Sequence, residues 1–89
     1  MGVMFIVYLI QNSETKEIYV GITADLKARL ARHNSGGQKS TMRKNGFWNL
    51  IYAEAYRDKS DATRREQRLK DHGRAIQELK KRIEKSLLS

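Results

Sequence analysis

The sequence predicts a small α/β fold: a three-stranded, antiparallel-containing sheet flanked by helices, in the order β-β-α-β-α-α. Three observations carry that reading. Two short runs near the start are rich in β-branched and aromatic residues and are separated by a polar, turn-prone stretch. A third such run, Trp48 to Tyr56, alternates large and small residues. The remaining segments repeat their apolar residues at helical spacing, and a three-stranded sheet needs such helices to cover it. At 89 residues the chain is expected to form a single domain spanning residues 1–89.

Met4 to Ile10 is uninterrupted apolar sequence, which reads as a strand buried on both faces. Gln11 to Lys16 is the turn, and Glu17 to Gly21 the second strand of an antiparallel hairpin. Thr23 is placed to cap the first helix, with Asp25 in its first turn. Leu26, Arg29, Leu30 and His33 follow at offsets that put all four on one face. Asn34 to Gly37 ends that helix, and residues 35–46 form a polar, basic loop. The third strand, with both faces packed, reads as the centre of the sheet. Ser60 caps a helix over residues 61–72, which Gly73 ends, and a last helix runs from about Arg74 to Leu87.

The chain carries eighteen Lys and Arg against ten Asp and Glu, a net charge of +8. Thirteen of the basic and seven of the acidic residues lie in residues 42–89, so most of the excess is there. Such a chain is expected to attract polyanions, above all nucleic acid. The absence of cysteine excludes disulfides, thiolate metal sites and cysteine nucleophiles. The apolar start is too short to cross a bilayer and does not read as a signal peptide, so no membrane association and a cytoplasmic location are expected.

The unusual residues are polar ones on apolar faces. Glu66 shares a stripe with Ala62 and Leu69, where a carboxylate needs a partner, a metal or water. Arg65, Lys70 or Arg29 could pair with it as ordinary structure. Arg29 and His33 share the core-facing side of the first helix, where snorkelling explains them equally well. Tyr8 and Tyr19 sit in the two hairpin strands and read as aromatic core with hydroxyls seeking partners.

Ile6-Val7-Tyr8, ten residues, then Tyr19-Val20-Gly21 resembles the signature of the GIY-YIG nuclease superfamily. Thr23 to Leu30 with Arg32-His33-Asn34 is similar to its first-helix signature, and Ser60 to Glu66 to its glutamate-bearing segment. The resemblance covers nearly the whole chain and is closest to the small stand-alone bacterial members. It implies a metal-dependent endonuclease that hydrolyses phosphodiester bonds in DNA, with RNA left open. Glu66 would be the single protein ligand of Mg²⁺ or Mn²⁺. Arg29 would neutralise charge on the phosphoryl oxygens. Tyr19 would take the proton of the attacking water, Tyr8 would orient it, and His33 would orient Tyr19 or contact phosphate. Gly21 would be structural, its missing Cβ allowing a close approach.

The chain departs from the family pattern in three places. Isoleucine leads the first signature, Ile22 stands where some members have a lysine, and the late asparagine of archetypal members has no clear counterpart. Lys39 or Arg43 would have to replace the missing lysine charge. Lys39, Arg43 and Lys44 in the loop, and Arg64, Arg65 and Arg68 on the second helix, are the expected phosphate contacts. Target choice is left to a partner protein or a homodimer. Two other readings stand beside the enzyme: a catalytically weak or inactive nucleic-acid-binding module, and a protein-interaction domain using the apolar strip Ile76-Leu79-Ile83-Leu87.

Overall fold

A computed structural model of the chain describes residues 3–36, 45–71 and 73–88. The elements follow the expected order: β1 (Phe5–Asn12), β2 (Ile18–Thr23), α1 (Leu26–Ser35), β3 (Trp48–Tyr56), α2 (Lys59–Lys70) and α3 (Arg74–Arg82). The sheet order is β2-β1-β3, with both neighbour pairs antiparallel. Among the described residues no helix is long and apolar enough to cross a membrane.

The central strand is β1, not β3 as expected from the sequence. Val7, Tyr8, Leu9 and Ile10 are wholly buried, as the unbroken apolar run requires of a strand covered on both faces. β3 is an outer strand, and its small residues Ala53 and Ala55 are exposed, so its alternation marks a sheet edge rather than a centre.

Alternation along β1 divides the core in two. Val7 and Leu9 face one way and pack with Val20, Ala62, Leu69, Ile76 and Leu79, the apolar positions of β2, α2 and α3. Tyr8 and Ile10 face the other way and pack with Trp48, Tyr19, Leu26 and Leu30. One face of the sheet therefore belongs to α2 and α3, the other to α1. Each fully buried aliphatic side chain stabilises the fold by about 1.5–3 kcal/mol, as an upper figure.

Three local expectations are corrected. The N-cap of α1 is Asp25, whose carboxylate accepts from the Ala28 N–H at 3.1 Å, while the Thr23 hydroxyl accepts from the Asp25 N–H at 3.0 Å. The cap of α2 is Asp58, which accepts from the Ser60 N–H at 2.8 Å, so Ser60 lies inside the helix. α3 stops at Arg82 rather than Leu87. Its apolar face is already committed, with Ile76 and Leu79 buried and Ile83 against the same cluster. This leaves the interaction-domain reading without its exposed strip.

Polar clamps fix the element ends. Asn34 near the end of α1 bonds the Trp48 backbone twice, donating to its carbonyl at 3.0 Å and accepting from its N–H at 2.7 Å. Gly36 closes α1 with a left-handed backbone, φ 81°. Gln11 accepts from the Leu88 N–H at 2.7 Å, tying the end of the described chain to β1.

Candidate active site

Antiparallel register sets Tyr8 of β1 directly opposite Gly21 of β2. A Cβ built at residue 21 would lie 2.4 Å from both Cζ and Oη of Tyr8, so the phenol ring occupies the space a side chain would need. Tyr19, two residues before Gly21, shares that face of the sheet, and the two tyrosine rings are 6.4 Å apart. His33 reaches them from α1 and is buried. Its ring lies edge-on to Tyr19 at 5.0 Å and to Tyr8 at 5.8 Å, and its Nε2 is 2.8 Å from the Tyr8 hydroxyl.

Electrostatics assign states to this cluster. Burial pushes the Tyr8 phenol up to about 12; the nearby Tyr19 and Glu66 add to that, while the charge and hydrogen bond of Arg29 oppose it. Tyr8 therefore keeps its proton across the neutral range. His33 is held below its ordinary value, first by burial and then by the charges of Arg29 and Arg32. A neutral imidazole with its proton on Nδ1 lets the Tyr8 O–H donate to Nε2. Arg29 lies one turn before His33 on α1, which is why one guanidinium acts on both rings.

Glu66 comes from α2, which runs beside the outer strand β2. Its carboxylate is 14 % exposed and pairs with Lys70, one turn on, at 3.2 Å. The Lys70 ammonium in turn stands 5.7 Å from the centre of the Tyr19 ring. Sequence spacing foreshadows Lys70 as a partner for Glu66 but not its place over Tyr19. An open groove of about 450 Å³ adjoins Tyr19, lined also by Lys16, Ile18, Val20, Lys70 and Lys80. Only Tyr19 of the tyrosine pair reaches it, because Tyr8 is closed off behind.

Among the described residues there is no group of three or more His, Asp or Glu side chains able to hold a metal. A lone carboxylate suits a hard divalent cation that keeps its waters and takes further oxygens from a phosphate. Glu66 fits that pattern, with Lys70 on one of its two oxygens.

The expected phosphate contacts separate. Lys39, Arg43 and Lys44 lie outside the described residues. Arg64 is exposed and stands 3.7 Å from Asp61. Arg65 reaches β3 and binds Glu54 at 2.7 Å. Glu54 also accepts from the hydroxyls of Tyr52 and Tyr56, a four-residue cluster not foreseen in the sequence. Arg68 is exposed. Ile22 packs into the α2–α3 core, on the opposite face from the tyrosines.

The chain as a whole has counterparts in known proteins. Residues 4–84 match the family model of the GIY-YIG catalytic domain. The chain is 38% identical over 72 residues to a UPF0213 protein of Halobacterium salinarum, covering 81% of this chain and 92% of that protein. It is 36% identical over 63 residues to the UPF0213 protein YhbQ of Escherichia coli, covering 71% of this chain and 62% of that protein. The solution NMR structure of a UPF0213 protein from Bacillus halodurans is similar at 28% identity with a TM-score of 0.53, over 85% of this chain and 80% of that one. A match that takes in every element, with Tyr8, Tyr19 and Gly21 in the register their packing demands, means that the chain belongs to the GIY-YIG family.

Proposed function

We propose that this chain binds nucleic acid, DNA in the first place, and hydrolyses its phosphodiester bonds slowly at the Tyr8–Tyr19–His33 cluster. The observation that carries the reading is the contact of His33 with both tyrosines, 2.8 Å from the Tyr8 hydroxyl and edge-on to Tyr19, with Lys70 linking the Tyr19 ring to Glu66. Tyr19 is the tyrosine with access to the groove, so its phenolate is the form that accepts the proton of the attacking water and becomes the phenol. His33, bonded to Tyr8 and stacked edge-on to Tyr19, holds the two rings in place. Tyr8 stays protonated and serves as a donor. Arg29 balances the charge that builds on the phosphoryl oxygens as water oxygen bonds to phosphorus and the ester oxygen departs. Bound at Glu66, Mg²⁺ or Mn²⁺ would supply Lewis-acid polarisation of the phosphate. Lys39, Arg43, Lys44, Arg64 and Arg68 are the phosphate contacts of this reading, while Arg65 is engaged by Glu54.

A second reading, a nucleic-acid-binding module without turnover, draws on the Glu66–Lys70 pair: an ammonium already sits on the carboxylate a divalent ion would need. The two separate on one experiment. Wild type, Tyr19→Phe and Glu66→Ala are incubated with branched, nicked and linear DNA, and with RNA, in Mg²⁺. The expected result is wild-type cleavage that falls by about 100-fold or more in each variant. Equal cleavage by all three proteins would overturn the site. Binding without cleavage by the wild type would establish the second reading.

A further inference from the structure

We infer that the cleft between α2 and α3 is a second nucleic-acid backbone site, in which Arg68 and Arg82, flanked by Arg65 and Arg74, hold phosphates other than the one at Tyr19. The inference rests on the nucleic-acid partner proposed above and not on the chemistry. The cleft has a volume of about 380 Å³ and is lined by these four arginines, with Ala75 and Leu79 as its apolar part and Glu78 as its acidic member. Arg68 and Arg82 form no ion pair among the described residues. The Arg74–Glu78 contact is 3.5 Å long with side chains 90% and 70% exposed, a pair that contributes little and yields readily to a stronger anion. Arg65 is different: Glu54, itself held by two tyrosine hydroxyls, aims it from below.

Four guanidinium groups around one cleft outnumber the two carboxylates, Glu54 and Glu78, that pair with them, and the remaining like-charge repulsion is relieved when an anion joins them. The planar donor fork of arginine matches a phosphate better than the point charge of lysine, and all four cations lining this cleft are arginines. Arg74 and Ala75 also belong to the first turn of α3, which has no side-chain cap on its N–H groups.

Place in the fold makes this site separate from the tyrosine cluster. Glu66 and Lys70 turn toward Tyr19 on β2, whereas Arg65 turns toward Glu54 on β3. β2 and β3 are the two outer strands with β1 between them, so two strand spacings, about 10 Å, part the two sides. One phosphate cannot occupy both. A backbone whose scissile phosphate lies at Tyr19 would meet the arginine cleft with a different segment.

The test is a binding titration that needs no turnover. Fluorescence anisotropy of labelled duplex and nicked DNA is followed in EDTA from 50 to 200 mM KCl, for wild type, Arg68→Ala/Arg82→Ala, and the control Lys27→Ala/Lys59→Ala. The control removes the same charge from exposed positions elsewhere on α1 and α2. Circular dichroism confirms that each variant is folded. Every cation that neutralises a duplex phosphate steepens the fall of log K with log salt by about 0.9, so the arginine variant should be shallower by nearly two units of slope, with weaker binding. The control should change much less. Wild-type slope and affinity in the arginine variant, an equal change in the control, or no DNA binding by the wild type would each overturn the inference. Mg²⁺-dependent cleavage is scored separately: its absence would end the hydrolytic reading while a selective drop in slope would still establish the cleft.

Discussion

Tyr8 reaches its wholly buried position because residue 21 carries no side chain. The phenol lies where a Cβ would be, packed with Ile10, Trp48, Tyr19, Leu26 and Leu30 on that face of the sheet. Gly21→Ala should therefore destabilise the protein by about 1–3 kcal/mol, the usual cost of overpacking, and break the Tyr8–His33 bond. Urea unfolding with near-ultraviolet circular dichroism reads both effects; an unchanged midpoint would mean that the ring does not rest on this glycine. The tyrosine spacing was legible in the sequence, and so was His33 on the inner face of α1. What the sequence could not convey was the inequality of the two tyrosines. Both sit in short apolar strands, yet pairing order makes one central and sealed and the other peripheral and accessible. The Glu54 cluster is hidden in the sequence for a similar reason. Tyr52, Glu54 and Tyr56 read as strand alternation, and their partner Arg65 lies eleven residues from Glu54 on another element.

At the scale of elements, α1 is the carrier of Arg29 and His33, and its first turn depends on one carboxylate. Asp25→Ala removes the acceptor of the Ala28 N–H and should cost about 1 kcal/mol, whereas Asp25→Asn should retain most of the stability. Urea midpoints of the two variants check this; equal losses would show that the charge, and not the acceptor, is what matters. The order and type of all six elements followed from composition and periodicity together. Cap identity did not, because Thr23 and Ser60 are good caps by composition and lie two residues from the aspartates that serve. The position of β3 did not follow either. Strand order depends on which edges pair, and the unbroken apolar run of β1 was the better sign of a central strand than the alternation of β3. α3 is shorter than its apolar spacing implied because the chain turns after Arg82, and Leu88 is then tied to Gln11.

For the whole molecule, the same burial that shapes the site sets limits on stability from both sides of neutral pH. Burial drives the Tyr8 phenol to about 12, and burial with the Glu54 hydrogen bond does the same for Tyr56. Between pH 10 and 12 the unfolded chain gives up these protons while the folded protein keeps them. The stability this represents is complete below about pH 10 and disappears as pH rises toward 12. For the fully buried Tyr8 the shift corresponds to about 3 kcal/mol, and the half-buried Tyr56 contributes less. On the acid side His33 has its value lowered, so the unfolded chain takes up a proton first. Stability is complete above the ordinary histidine value of about 6.5 and falls as pH drops through it toward the lowered one. Glu54 extends that decline. Burial alone would raise its value, but the tyrosine hydroxyls and Arg65 outweigh burial and hold it low, so its contribution is lost as pH falls below the usual carboxylate range. Unfolding free energies measured in urea from pH 4 to 11.5 should form a plateau between about pH 7 and 10 with a decline on each side. Tyr8→Phe separates the limbs: it should lower the plateau by removing the bond to His33, yet flatten the alkaline decline and leave an acid decline in place. An alkaline limb as steep in Tyr8→Phe as in the wild type would assign that limb to other groups and remove the argument that Tyr8 is the sealed, protonated member of the pair.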